Sequence, residues 1–327
     1  MADISIVICA YTEKRWEDLT AAVTSVLKQT WQPSEIILVI DHNTALYERA
    51  NQTFTQQCAS LKVVENVNMR GLSGARNTGI TASTGDIIAF IDEDAMAAPD
   101  WLARIAAAYT DPEMMAVGGS IAPQWMTGKP NWFPDEFNWV VGCTYRGMPE
   151  TRASIRNLIG CNMSIRRSVF DAVGGFRSGI GRVGTLPVGC EETELCIRAR
   201  QQLPDYTIIY DPEIRVYNHR VPASRAKWRY FWSRCYAEGI SKALVSQFVG
   251  QRDSLASELR YTLRTLPNGV LRGLSDALHG DVSGLGRSFA IMSGLALTVC
   301  GFAVGLISVL FKTTSINTET AVTKQPA

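Results

Sequence analysis

"DIIAFIDEDA", Asp86 to Ala95, decides how the chain is read. Its first half is a short, β-branched apolar run, the pattern of a strand buried on both faces. Its second half sets three carboxylates side by side, Asp92, Glu93 and Asp94. Two like charges ~4 Å apart repel by about 4 kcal/mol even at an effective dielectric of 20. A cluster of this kind on a rigid element usually needs a compensating cation. Glu93 is expected to stay in solvent. A solvated turn or helix cap is the competing reading, since the acids lead into "AMAAPDW". The apolar strand favours ligands, because open α/β sheets bind beyond the carboxyl ends of their strands.

Outward from this stretch, "ISIVICA" (4–10), "EIILVID" (35–41) and "LKVVENV" (61–67) are further strand-like runs. Leu19, Val23, Val26 and Leu27 recur at helical spacing between the first two, and "GLSGARNTGITAS" (71–83) is a glycine-rich loop passing into a helix. Strands alternating with helices predict an α/β fold with a mostly parallel, Rossmann-like sheet. The polar residues fall at strand ends: Tyr11, Thr12 and Glu13 after the first, Asp41 after the second, Asp92 to Asp94 after the fourth. Arg70 and Arg76 belong to the loop–helix joint. One crevice gathering acids, arginines and backbone N–H groups suits a nucleoside diphosphate with a divalent metal. For Arg70 and Arg76 plain surface solvation is an equal alternative.

The second half is less regular. "MMAVGGSIAPQW" (114–125) predicts a strand running into a loop with Trp125, Trp132 and Trp139, which suit sugar stacking or an aromatic core. "IGCNMSIRRSVFDAVGGF" predicts strand, helix and glycine turn, "GCEETELCIRARQ" opens a helix, and "YTIIYDPEIRVYNHR" supplies a last strand reaching His219.

Net charge is +1 in 327 residues, so no basic field points to nucleic acid. The 8 cysteines are scattered with no C-x-x-C pair, which predicts reduced thiols and neither zinc knuckle nor redox motif. "DISIVICAY" reads as a strand from the outset, without a basic region or long apolar stretch before it, so the N-terminal domain is expected on the cytoplasmic side of the cell membrane. Ser288 to Phe311 carries no charge and is long enough, at ~36 Å as a helix, to cross a bilayer or to be a buried core helix. Length and lack of charge favour the membrane. Gly301 and Gly305 form a small-xxx-small spacing that would allow helix pairing and a homodimer. Leu266, Val270, Leu271, Leu274 and Leu278 recur at helical period, as in a helix lying in the membrane interface. The expected organisation is a catalytic domain over 1–225, a helical extension over 226–287, a membrane helix over 288–311 and a disordered tail over 312–327.

"SIVICAYTEKRWEDLTAAVTSVLKQT", "GLSGARNTGI", "STGDIIAFIDEDA", "GCNMSIRRSVFDAVGGF" and "CEETELCIRAR", in this order, resemble the family-2 glycosyltransferases with the GT-A fold. The ordered set over roughly residues 1 to 220 is specific where a lone D-x-D is not. The resemblance implies transfer of one sugar from a nucleotide-diphosphate sugar, with inversion. It implies that Tyr11, Thr12, Glu13 and Asp41 bind the nucleoside. Asp92 would meet the ribose or the metal, and Asp94 would ligate Mg2+ or Mn2+. His219 would be a third ligand or a structural histidine. Direct displacement needs a base for the acceptor hydroxyl, and Glu191 and Glu192 at a helix start fit that role. The plain alternative is that both acids only favour the helix N-terminus. The family's commoner pair is Glu-Asp, so Glu192 stands where the catalytic Asp is usual; Glu192 is the expected base, with Glu191 near the acceptor. The processive members' Q-x-x-R-W is replaced by "SRAKWRYFWSRCYAEGISKA", so a single addition is expected. "EGISKA" with the apolar C-terminus is similar to the glucosyl-dolichyl phosphate glucuronosyltransferase subgroup, which implies a lipid-linked or membrane-proximal glycan acceptor. A metal-dependent phosphohydrolase and a catalytically silent sugar-nucleotide binder are the alternatives.

Overall fold

The computed structural model describes residues 3–181, 189–250 and 258–322. Four strands come first: β1 (Ile4–Ala10), β2 (Glu35–Ile40), β3 (Leu61–Glu65) and β4 (Ile87–Asp92). They pair in parallel in the order β3-β2-β1-β4. Every residue of β1 and β2 is buried. Side chains of one strand point alternately to two cores: Ile4, Ile6 and Ile8 to one, Val7 and Cys9 to the other. That is why these strands read as continuous apolar runs. Helices α1 (Trp16–Leu27), α2 (Thr44–Phe54) and α4 (Trp101–Ala108) fill the first core, and α3 (Leu72–Ala82) the second.

Beyond β4 the sheet changes character. The short β5 (Met96–Ala97) pairs at the far edge with β9 (Thr207–Val221). β6 (Met114–Trp125) runs parallel to β9, while β8 (Asn162–Arg166) is antiparallel to both β4 and β6; β7 (Ala153–Ser154) adds to β9. The sheet is therefore mixed: parallel in its first half, as expected, and interleaved with antiparallel strands in its second. Helices α5 (Arg167–Val173) and α6 (Glu191–Gln202) pack on the second core through Val169, Phe170, Leu195 and Cys196.

Three long helices complete the chain: α7 (Trp228–Val249), α8 (Leu266–Leu278) and α9 (Ser283–Val322). α7 and α9 touch backbone to backbone. A Cβ on Gly239 would lie 2.1 Å from the Thr298 carbonyl oxygen, and one on Gly301 2.0 Å from that of Tyr236; Gly305 faces Ala243. The small-residue face thus pairs within the chain, against α7, which removes it as a basis for a homodimer. Trp132 stacks on Trp228 with ring centroids 3.8 Å apart, and Trp125 meets Phe133 edge-on, so both are packing residues. On α8, Leu266 is buried while Leu271, Leu274 and Leu278 are exposed. Along α9 the exposed apolar row continues through Phe289, Met292, Val299 and Val304. The stretch Ser283–Ser308, with mean hydropathy 2.2, is long and apolar enough to cross a membrane, and only 28% of it is buried. All eight cysteines are free thiols.

Candidate active site

The acids that end β4 meet cations supplied by the chain itself. Glu93, expected in solvent, is 8% exposed, and its Oε1 accepts from Arg15 at 2.7 Å. Burial first, then Asp94, push its carboxyl up to about 7. Arg15 follows β1 in the 3-10 turn Glu13–Arg15, so the loop after one strand neutralises the loop after another. Asp94 Oδ2 lies 3.3 Å from Arg15 and 3.9 Å from Arg225. Its other oxygen, Oδ1, faces His219 Nδ1 at 3.4 Å. Asp92, the least buried of the three, lies 3.5 Å from Arg76.

Arg76 is not a surface residue. It is 3% exposed and joins the two walls of the site: one nitrogen reaches Asp92, the other donates to Glu191 Oε1 at 2.8 Å. Gly160 makes room for it, since a Cβ there would lie 2.5 Å from the guanidinium. Arg76, Asp92, Glu191, Glu192 and His219 line one cavity of about 540 Å³, with Trp139 on its wall.

Both glutamates begin α6. Cys190, just before them, holds φ 73°, a left-handed conformation costly for a non-glycine residue, and its Sγ donates to Glu238 Oε1 at 3.4 Å. Glu191 is paired with Arg76, which also reaches Asp92. Glu192 is only partly exposed. Burial raises its pKa most, Glu191 raises it further, and the result is about 8. A carboxyl held near neutrality in a cavity is suited to proton transfer.

The residues after β1 and β2 lie outside this cavity, on the adjoining rim. Asp41 N donates to the Ala10 carbonyl, which sets the two strand ends side by side. Asp41 accepts from Gly71 N at 3.0 Å and from Asn66 at 2.7 Å, and so shapes the turn (Gly71 φ 125°) that starts α3. Tyr11 and Glu13 are exposed, Thr12 is partly so, and Arg70 donates to the His42 carbonyl from an exposed position. Tyr11, Thr12, Glu13, Asp41 and Arg70 therefore form a separate lip at the ends of β1 and β2 and do not line the cavity.

A metal-sized cluster is present. Ligand atoms of Asp92, Cys161 and His219 lie within 4.8 Å of one another. Cys161 Sγ is 3.7 Å from His219 Nδ1, and burial pushes its thiol well up, so it remains protonated. With Asp94 Oδ1 on the same histidine, two carboxylates and an imidazole converge. That donor set suits a divalent ion of intermediate hardness. Sequence reading missed Cys161, Arg15 and Arg225; the "GCN" leading into β8 is a local trace of Cys161 alone, and the two arginines have none.

A parallel half-sheet with acids at its carboxyl edge, interleaved with antiparallel strands and facing a helix that opens on two glutamates, defines the GT-A class of sugar-nucleotide transferases. Residues 5–174 match the model described as glycosyl transferase family 2. The chain belongs to that family, which sets aside the phosphohydrolase alternative. A glucosyl-dolichyl phosphate glucuronosyltransferase of Haloferax volcanii is 37% identical over 243 residues, covering 74% of this chain and 77% of the relative. Two solved structures share the fold. A mannosyltransferase from Pyrobaculum calidifontis in complex with GDP-Man and Mn2+ has a TM-score of 0.57 at 16% identity, over 91% of this chain and 87% of that one. GalNAc-T7 with UDP, GalNAc and Mn2+ has a TM-score of 0.51 at 19% identity, over 73% and 48%.

Proposed function

We propose that the chain transfers a single sugar, with inversion, from a UDP- or GDP-sugar to a hydroxyl of a lipid-linked glycan at the cytoplasmic face of the cell membrane. The observation that carries the reading is the one cavity in which Arg76 bridges Asp92 and Glu191 while Glu192 stands beside them. The lip formed by Tyr11, Thr12, Glu13, Asp41 and Arg70 takes the nucleoside. Asp92, Asp94 and His219 hold the metal, and the imidazole favours Mn2+ over Mg2+. When bound, the ion offsets charge on the departing diphosphate. Arg76 keeps Asp92 and Glu191 in place. Glu192 takes the proton from the acceptor hydroxyl as it attacks the anomeric carbon from the face opposite the diphosphate.

The similarity to a glucosyl-dolichyl phosphate glucuronosyltransferase supports a lipid-linked acceptor. The apolar α9 and the exposed leucines of α8 support work at a membrane. Residues 1–225 are then the catalytic domain, 226–287 the helical extension and 288–311 the membrane helix; α9 runs on to Val322, so 312–322 is helical where a disordered tail was expected, and 323–327 lie outside the described residues. The test is incubation of the full chain with UDP- and GDP-sugars, Mn2+ and membrane lipid extract. Lipid-dependent, sugar-selective release of nucleoside diphosphate, with an inverted product anomer, supports the reading. Release without lipid, a retained anomer, or donor binding without turnover overturns it.

A further inference from the structure

The cavity has a second charged wall that the transfer step does not use. Arg156, Arg234, Lys242 and Arg260 line it, together with the carboxylates of Glu238 and Glu258. Lys242 Nζ lies 2.8 Å from Glu258 Oε1 and 3.8 Å from Glu238 Oε1. Arg156 lies 3.2 Å from that same Glu258 oxygen, and Arg234 is 3.5 Å from Glu238. The cations outnumber the acids, so the wall is positive on balance. Burial works against the Lys242 ammonium, but Glu258 and Glu238 outweigh it and keep it charged. An ammonium and a guanidinium converging on one carboxylate oxygen make an anion seat, suited equally to a phosphate oxygen.

The position of the seat gives its meaning. Cys190 donates to Glu238 and directly precedes Glu191 and Glu192, so the seat adjoins the base. The cavity also reaches Leu295 and Thr298 of α9, the apolar helix, and Thr298 packs on Gly239 next to Glu238. One cavity thus brings together a carboxylate base, cations and apolar surface. A monosaccharide joined to a lipid by a phosphodiester presents the matching set of hydroxyl, phosphate and hydrocarbon.

We propose that Arg156, Lys242 and Arg234 seat the phosphodiester of the acceptor, and that Glu258 occupies this seat until the phosphate displaces it. The proposal rests on the lipid-linked acceptor above and narrows it to a sugar whose phosphate lies one residue from the reacting hydroxyl. The other source of phosphate is the donor diphosphate, and the experiment separates the two. Full-length protein in detergent is titrated with glucosyl prenyl phosphate, with the prenyl glucoside lacking phosphate, and with UDP and GDP in Mn2+. The wild type binds the phosphorylated probe at least about tenfold tighter than the neutral one. A Lys242→Met, Glu258→Gln double variant, which removes one charge of each sign and so keeps the net charge of the wall, loses that preference and keeps its nucleotide affinity. Glu258→Gln alone tightens the phosphorylated probe severalfold. Equal binding of both probes by the wild type, a preference that survives the double variant, or nucleotide binding lost with Lys242 overturns the proposal. The transfer reading fails separately, on absent nucleoside diphosphate release, whatever these ratios are.

Discussion

Glu192 and Glu191 differ by one position and by almost everything that matters chemically. Glu191 is buried against Arg76 at 2.8 Å, whereas Glu192 faces the cavity with its pKa raised to about 8. A raised carboxylate is protonated below its pKa and cannot then accept a proton. kcat/KM for transfer is therefore expected to rise with pH toward about 8, roughly tenfold per unit on the acid side. Glu192→Gln should lower kcat by ~10²–10⁴-fold, remove that limb and leave nucleotide affinity unchanged. Arg76→Met should act on stability as well as rate. It strands Glu191 at 4% exposure, and losing one partner of a buried pair costs ~3–5 kcal/mol, which denaturant unfolding would measure.

At the scale of elements, the two edges of the sheet do different work. The carboxyl edge holds the site, and the opposite edge is tied by Glu35. Glu35 opens β2 and accepts from Ser5 of β1, from both the N–H and hydroxyl of Thr84 ahead of β4, and from Lys62 of β3. Burial alone would raise its pKa, but these donors bring it down to about 2. A lowered carboxylate stabilises the fold above its unfolded value near 4.5, and that stability is lost as pH falls toward 2. Glu35→Gln should cost about 3 kcal/mol at neutral pH, with the difference closing in acid unfolding between those values. Much of this was legible beforehand. β1, β2 and β4 announce themselves because both of their faces are buried, and a strand end carrying acids marks the ligand edge. Glu93's burial was not legible, since its partner Arg15 lies 78 positions away. Nor was the cationic wall, because Arg234 and Lys242 read as ordinary helix charges until α9 packs behind them. Local pattern reports periodicity; pairing across the chain is decided only by packing.

For the whole molecule, α8 and α9 pack on each other and each leaves apolar side chains exposed, Leu271, Leu274 and Leu278 on the first and Phe289, Met292, Val299 and Val304 on the second. Replacing Leu271, Leu274 and Leu278 together by Asp should weaken binding to anionic vesicles by more than tenfold, since each leucine buried is worth about 1.5–3 kcal/mol. Folding, read by circular dichroism, should be unaffected, because these side chains project away from the core.

The glycine contact between α7 and α9 has a consequence for anyone shortening the chain. A version ending at residue 282 would retain all the acids and bases of the site, yet lose Leu295 and Thr298 and leave Gly239 facing water. The apolar α9 is masonry for the site: cutting it for solubility would breach the chamber, and a silent soluble fragment would say nothing against the chemistry.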